Sequence, residues 1–215
     1  MISCLLFDLD GTLTDPSLGI TNSIMYALGK MGREIPERES LYCFIGPPLV
    51  PAFQSFLGMS EDESQIALKY YREYFSVDGK FENSPYAGIG EALRELKESG
   101  KTLALATSKP EIFATQILEH FDLAKYFTVI CGATLDKTRN EKSDIIRYAL
   151  DCLEASPCET IMIGDRFHDI VGAKDNGISS LGVLWGFGSK EELDSYGVDA
   201  TVATIPQMVE YLKKI

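Results

Sequence analysis

The chain has 215 residues, 45% of them hydrophobic and 24% charged, and this balance excludes a disordered or fibrous protein. Its 20 basic and 32 acidic residues give a formal net charge of −12, which disfavours nucleic acid and anionic membrane surfaces as partners. No apolar run approaches the roughly 18 residues of a membrane-spanning helix. The 5 cysteines include no Cys-x-x-Cys pair, so we expect free thiols, a reducing compartment and therefore a cytoplasmic protein.

Short apolar runs alternate with amphipathic stretches along most of the chain. The apolar runs predict five buried strands, at residues 2–7, 102–107, 127–131, 160–163 and 180–184. Helical periodicity between and after them predicts helices at residues 90–99, 111–120, 142–153 and 170–176. This alternation is typical of an α/β fold, and we expect a Rossmann-like parallel sheet in the order 3-2-1-4-5 with helices on both faces.

The stretch after the first strand breaks this alternation, because it contains helical patterns and no convincing strand. Helical periodicity covers residues 20–31 and 60–75, and Ser-Glu-Asp-Glu from Ser60 is a capping-box pattern. A chain that leaves a sheet after one strand and then returns to it forms an insertion. We therefore predict an α/β core domain, residues 1–15 and 85–215, and an inserted all-helical cap domain, residues 16–84.

Carboxylates follow the first and fourth predicted strands, at the edge of the sheet where open α/β folds bind ligands. Asp8 and Asp10 follow the first strand, and Asp165 and Asp169 follow the fourth. Carboxylates that lie so close to one another require a compensating cation. Oxygen ligands such as Asp8, Asp10 and Asp165 suit Mg2+. The sequence therefore predicts a magnesium site at this edge.

Phosphate-binding groups are expected at the same edge of the sheet. Thr107 and Lys142 offer a hydroxyl and an ammonium, and the backbone N–H groups near Gly11 and Ser108 offer further donors. Asp8 and Asp10 are alternate residues of an extended segment, so both face one cavity. One carboxylate can then attack phosphorus while the other handles the proton of the leaving oxygen.

Four motifs in combination resemble the haloacid dehalogenase-like hydrolase superfamily. They are Asp8-x-Asp10-Gly-Thr-Leu-Thr-Asp15, Thr107-Ser108-Lys109-Pro110, Lys142 and Gly164-Asp165-x-x-x-Asp169. The resemblance implies that Asp8 is the nucleophile, forming an aspartyl phosphate, and that Asp10 is the general acid and base. It also implies Mg2+ held by the Asp8 carboxylate, the Asp10 backbone carbonyl and Asp165.

The same resemblance implies roles for the supporting residues. Asp169 would hold a metal-bound water or orient a neighbouring group, and Thr107 and Lys142 would bind the phosphoryl group with Ser108 alongside. Ser143 follows Lys142 where many relatives have proline, and Lys137 is a rival for the phosphate-binding lysine. We favour Lys142, because it stands at the start of a predicted helix.

Within the superfamily, the cap sequence is similar to the phosphoglycolate phosphatase group, and residues 164–173 are closer to a bacterial 5′-nucleotidase-like branch. The cap residues expected to contact substrate are Phe44, Ile45, Gly46, Pro47 and Arg72. The sequence leaves open the roles of Lys109, which follows the second motif, and of Arg166 and His168 in the fourth.

The expected function is a Mg2+-dependent phosphatase of small phosphomonoesters, similar to phosphoglycolate phosphatase. A 5′-nucleotidase is the alternative, and a sugar phosphomutase resembling β-phosphoglucomutase is less favoured. A response-regulator receiver also places carboxylates and a lysine at a sheet edge, but it lacks a helical insertion after the first strand. The expected partner is a small phosphorylated metabolite, and the expected assembly is a monomer or homodimer.

Overall fold

The computed structural model describes residues 1–136 and 138–215, and the rival lysine Lys137 lies outside the described residues. The chain divides into two compact units: a core unit, Met1–Thr14 with Pro85–Ile215, and a cap unit, Asp15–Ser84. The segments that join them, Thr14–Asp15 and Ser84–Pro85, pair as a two-stranded sheet. None of the helices in the described residues has the length and hydropathy needed to cross a bilayer.

A six-stranded parallel sheet forms the centre of the core unit. Its strands in chain order are β1 (Cys4–Phe7), β2 (Thr102–Pro110), β3 (Val129–Ala133), β4 (Thr160–Gly164), β5 (Ser179–Val183) and β6 (Ala200–Val202). The spatial order is 3-2-1-4-5-6, with every neighbouring pair parallel. The predicted order of the first five strands is confirmed. The sixth strand was missed because three residues are too short to carry a periodic signal.

Nine α-helices are present in the described residues of the two units. The cap unit holds α1 (Ser17–Lys30), α2 (Leu49–Leu57) and α3 (Glu61–Tyr74), and the core unit holds α4 (Ile89–Glu98), α5 (Glu111–His120), α6 (Lys142–Leu153), α7 (Phe167–Asp175), α8 (Lys190–Ser195) and α9 (Ile205–Lys214). The cap unit also contains a 3-10 helix, Arg38–Phe44, and a π-helical turn, Phe75–Gly79. Helix α2 had no predicted counterpart, since Pro51 lies inside it and obscures its pattern.

Alternate residues of β1 enter two separate hydrophobic layers of the core unit. Leu5 and Phe7 pack on the face covered by apolar residues of α4, α5 and α9, whereas Cys4 and Leu6 pack with residues of α6 and α7. A central strand with both faces covered accounts for the continuous apolar run at the start of the sequence. The predicted helices on both faces of the sheet are therefore confirmed. Their packing fixes the strand ends from which the site residues project.

The capping box predicted at the start of α3 is present. The Ser60 side chain accepts a hydrogen bond from the Glu63 N–H at 3.3 Å, and the Glu63 carboxylate accepts one from the Ser60 N–H at 2.8 Å. Each bond satisfies an amide that the first turn of a helix would otherwise leave unpaired.

Replacement of Ser60 by alanine tests this cap. We expect Ser60→Ala to lower the free energy of unfolding of the cap unit by about 1 kcal/mol, because one helical N–H loses its acceptor. Urea denaturation followed by circular dichroism measures the change. Ser60→Asp retains an acceptor oxygen and serves as the control, so equal losses in the two variants would contradict the capping interpretation.

Candidate active site

The predicted site residues of the core unit project from neighbouring strand and helix ends. Asp8 and Asp10 lie directly after β1, Thr107 lies in β2, Asp165 follows β4, and Lys142 is the first residue of α6. Because β1 lies between β2 and β4 in a parallel sheet, the carboxyl ends of these strands meet at one edge. The fold therefore brings the motifs together as the sequence predicts, although they are up to about 150 residues apart in the chain.

Lys142 contacts three oxygen atoms of the site. Its buried Nζ lies 3.0 Å from Asp8 Oδ2 and 2.8 Å from Asp169 Oδ1, and it donates a hydrogen bond to the Ala106 carbonyl at 3.1 Å. Burial lowers the pKa of Lys142, but the two carboxylates outweigh burial and hold that pKa above its ordinary value. The ammonium therefore stays charged and holds Asp8 next to Asp169, while its part in phosphate binding stays a prediction.

The second carboxylate of the first motif has its own cation. Lys109 Nζ lies 2.6 Å from Asp10 Oδ2, and the two side chains are 5% and 14% exposed. The other oxygen, Asp10 Oδ1, is buried and has no hydrogen-bond partner among the described residues. Burial raises the pKa of Asp10 above its ordinary value, although Lys109 opposes that rise. Lys109, whose role the sequence left open, thus belongs to the site.

Three carboxylates form a cluster whose composition fits a hard divalent cation. Asp8, Asp165 and Asp169 each place one oxygen within 4.8 Å of the others. Asp165 is fully buried, and none of the salt bridges in the described residues involves it. Burial and the negative charge of Asp169 raise the pKa of Asp165 to about 8. These oxygen ligands, with more negative charge than Lys142 alone can balance, fit Mg2+.

One backbone N–H and one side-chain hydroxyl orient Asp165. Its Oδ2 accepts a hydrogen bond from the Phe187 N–H at 2.8 Å, and its Oδ1 lies 3.4 Å from the Thr12 hydroxyl. Gly11 has a φ of +79°, and a Cβ built there would lie 2.2 Å from Asp165 Oδ2. Gly11 therefore serves a turn that only glycine adopts readily and leaves room for the Asp165 carboxylate.

The phosphate-binding candidates of β2 lie where the strand becomes irregular. Thr107 is buried and its hydroxyl accepts a hydrogen bond from the Lys109 N–H at 3.3 Å, while Ser108 is half-buried. The pairing with β3 shifts register between Thr107 and Pro110. Their contact with a phosphoryl group stays a prediction that this geometry permits.

The fourth motif contains interactions that no local sequence pattern indicates. The Arg166 side chain pairs with Glu192 of α8 at 2.9 Å, and the same carboxylate accepts a hydrogen bond from the Phe167 N–H at 3.0 Å. Helix α7 begins at Phe167, three residues before the predicted start, so His168 lies in its first turn and not in a loop. Burial lowers the pKa of His168 to about 4. His168, whose role the sequence left open, is therefore a neutral, half-buried imidazole.

The cap residues expected to contact substrate belong to the cap unit. Phe44 and Ile45 are buried, and the Phe44 ring lies 5.4 Å from that of Phe53 and 5.3 Å from that of Phe56, centroid to centroid. Gly46 and Pro47 follow as half-buried residues, and Arg72 is a half-buried residue of α3. Phe44 thus packs in the apolar interior of the cap unit. The contact of these five residues with substrate stays a prediction.

Comparison with known proteins agrees with the fold. A sequence model described as haloacid dehalogenase-like hydrolase matches residues 5–183. A 5′-nucleotidase of Pseudomonas aeruginosa is 44% identical over 209 residues, which cover 96% of this chain and 95% of that protein. The tyrosine-protein kinase PtkA of Mycobacterium tuberculosis is 40% identical over 210 residues, covering 96% and 71%.

A solved structure is similar along the whole chain. The crystal structure of a predicted phosphatase from Clostridium acetobutylicum has a TM-score of 0.96 and 43% identity, and the match covers 100% of both chains. The chain belongs to the haloacid dehalogenase-like hydrolase family, and its similarity to the 5′-nucleotidase and to the predicted phosphatase places it in the phosphatase branch of that family.

The close approach of Gly164 to Asp169 yields a test of the site's packing. A Cβ on Gly164 would lie 2.1 Å from Asp169 Cγ, so we expect Gly164→Ala to lower the free energy of unfolding by about 1–3 kcal/mol. Gly90→Ala is the matched control, because a Cβ there meets its nearest atom, on Leu123, at 3.6 Å. Chemical denaturation of both variants checks the difference, and equal midpoints would contradict the proposed crowding.

Proposed function

We propose that this protein is a Mg2+-dependent phosphatase that hydrolyses small phosphomonoesters through an aspartyl phosphate on Asp8. One observation carries the proposal: the Asp8 and Asp10 carboxylates share a sheet edge, and each contacts the ammonium of a different buried lysine. Two neighbouring carboxylates that are held by separate cations can take two roles in one reaction. A phosphoryl group needs both a nucleophile and a proton donor, and this pair supplies them.

In the first half of the reaction, an oxygen of Asp8 attacks phosphorus while the bond from phosphorus to the ester oxygen breaks. Asp10 gives its proton to that leaving oxygen. In the second half, Asp10 takes a proton from the water that attacks the aspartyl phosphate, and the bond between Asp8 and phosphorus breaks. Inorganic phosphate is released, and both carboxylates return to their starting states.

The other residues bind and orient the reacting groups. Lys142 fixes Asp8 beside Asp169, and Thr107 and Ser108 offer hydroxyl and N–H donors for phosphoryl oxygens. Mg2+, held by the carboxylates of Asp8 and Asp165 and the backbone carbonyl of Asp10, would neutralise charge on the phosphoryl group. All five cysteines are thiols, which supports action in the reducing cytoplasm as part of this proposal.

Nucleoside 5′-monophosphates are the substrate class that we propose. The relative named 5′-nucleotidase matches nearly the whole of this chain at 44% identity, which supports that class. Phosphoglycolate, which the motif resemblance also predicts, is the rival. The test measures the free phosphate released from a nucleoside monophosphate, from phosphoglycolate and from a sugar phosphate, with the protein and Mg2+ at matched concentrations. The three rates separate these substrate classes. A higher kcat/KM for phosphoglycolate would overturn the nucleotide assignment and leave the phosphatase proposal intact.

The acceptor of the phosphoryl group is water in this proposal. One relative is named as a tyrosine-protein kinase, and a sugar phosphomutase would also return the phosphoryl group to a substrate hydroxyl. Mass spectrometry of the products distinguishes these outcomes, because hydrolysis in 18O-labelled water places the label in inorganic phosphate. Transfer to a tyrosine peptide or a second sugar hydroxyl without release of labelled phosphate would contradict hydrolysis.

Substitution of the two carboxylates tests the covalent mechanism. We expect Asp8→Asn to abolish turnover, since a neutral amide is a poor nucleophile toward phosphorus. Asp10→Asn is expected to slow turnover by on the order of 10²–10⁴, the usual contribution of a positioned acid or base. Steady-state release of phosphate measures both. Near-normal turnover by Asp8→Asn, in a protein shown by circular dichroism to be folded, would rule out this nucleophile.

Removal of the metal and of its proposed ligand tests the magnesium site. We expect chelation to abolish turnover and Mg2+ to restore it, and we expect Mg2+ to raise the Tm of the unmodified protein by mass action. Asp165→Asn and Asp165→Ala should lose both effects. Asp175→Asn, which changes an exposed carboxylate on α7, should retain them. Full turnover in excess chelator would contradict the proposal.

A further inference from the structure

Lys109 is a buried charged residue of the site to which the proposed reaction gives no role. Its side chain is 5% exposed and its Nζ lies 2.6 Å from Asp10 Oδ2, a distance typical of a strong charge-assisted hydrogen bond. A surface lysine that pairs by chance with an acid is rarely buried to this degree. The observation therefore points to a built contact between the second motif and the first.

The backbone of β2 is shaped to direct Lys109 into the site. Thr107 pairs with Gly132 and Pro110 pairs with Ala133, so a step of three residues on β2 faces a step of one residue on β3. Irregularities of this kind redirect side chains and are common beside active sites. A Cβ on Gly132 would lie 2.7 Å from the Lys109 carbonyl oxygen, so the neighbouring strand holds the irregular segment closely.

The two oxygens of Asp10 are in different surroundings. Oδ2 accepts the hydrogen bond from Lys109, whereas Oδ1 is buried without a hydrogen-bond partner in the described part of the chain. An aspartate side chain rotates about two bonds, and a short ion pair to one oxygen restricts that rotation. Oδ1 is then the oxygen available to carry a proton to and from the reacting groups.

We propose that Lys109 is a positioning residue that holds Asp10 so that Oδ1 faces the leaving oxygen of the substrate. The inference rests on the proposed function, because it assigns Asp10 the proton transfer of that reaction. In the first half-reaction the proton on Oδ1 passes to the leaving oxygen as its bond to phosphorus breaks. In the second, Oδ1 takes a proton from the attacking water. Lys109 keeps its protons throughout and forms no covalent bond.

Two esters that differ in their need for a proton provide the test. The leaving group of para-nitrophenyl phosphate is stable as an anion, whereas the alkoxide of a nucleoside 5′-monophosphate must be protonated as it leaves. We expect Lys109→Met to lower kcat/KM for the nucleotide on the order of 10²-fold and for the aryl ester by less than about tenfold. Asp10→Asn should likewise lower kcat/KM more for the nucleotide than for the aryl ester.

Coupling between the two residues gives a second measurement. If Lys109 acts through Asp10, the double variant Lys109→Met/Asp10→Asn should be no slower on the nucleotide than Asp10→Asn alone. Lys125→Met, which removes a surface ion pair with Asp122, is the matched control and should leave both esters unchanged. Additive losses in the double variant would overturn the inference, because they show that Lys109 acts independently of Asp10.

The remaining outcomes are also decisive. Equal losses on both esters would assign Lys109 to phosphate binding and overturn the positioning role. If Lys109→Met fails to fold, Lys109→Arg and Lys109→Gln replace it: the arginine variant should retain the wild-type ratio of the two kcat/KM values, and the glutamine variant should not. If the wild-type protein hydrolyses neither ester, the proposed phosphatase function itself is wrong. If the wild-type protein hydrolyses both esters and the variants keep the wild-type ratio of kcat/KM values, only the role of Lys109 is wrong.

Discussion

The ammonium of Lys142 against Asp8 and Asp169 is the contact on which the arrangement of the site depends. Removing one member of a buried ion pair costs about 3–5 kcal/mol, because the remaining charge is left without a partner. Here two carboxylates share one ammonium, and Asp165 stands beside them without a salt bridge in the described residues. The strand ends that carry these carboxylates therefore meet around the Lys142 ammonium, and the proposed Mg2+ would balance the negative charge that remains.

Glycines at the strand ends set how closely the carboxylates can approach. Gly11 and Gly164 each leave space that a Cβ would take from Asp165 or Asp169. Neither position could be replaced by alanine without moving a carboxylate by an ångström or more, and interiors packed to crystal-like density absorb such shifts poorly. The first and fourth motifs thus require glycine at these positions for steric reasons, in addition to any effect of glycine on the turn.

The sequence predicted most of the sheet and the positions of the candidate site residues at its edge, because both depend on local signals. Apolar runs located β1 to β5, helical periodicity located α6 with the same bounds, and carboxylates after the strands located Asp8, Asp10 and Asp165. The sequence could not predict ion pairs between residues that only the packing of the fold brings together. Lys109 lies 99 residues from Asp10, and Glu192 lies 26 residues from Arg166, so no spacing pattern indicates either pair. Short β6 and proline-containing α2 were missed because their local signals are weak.

The charge of the whole protein and the charge of its site act over different distances on an anionic ester. The net charge of −12 repels such a ligand, but salt at physiological concentration screens that field over about 8 Å. Within the site, two buried ammonium groups lie less than 3.1 Å from carboxylates, where screening by solvent is weak. Each is already matched to an acid, so in the proposed reaction the attraction for a dianionic phosphoryl group would come largely from the cation that the Asp8, Asp165 and Asp169 cluster fits. Charge balance would then link substrate binding to metal binding in the proposed enzyme.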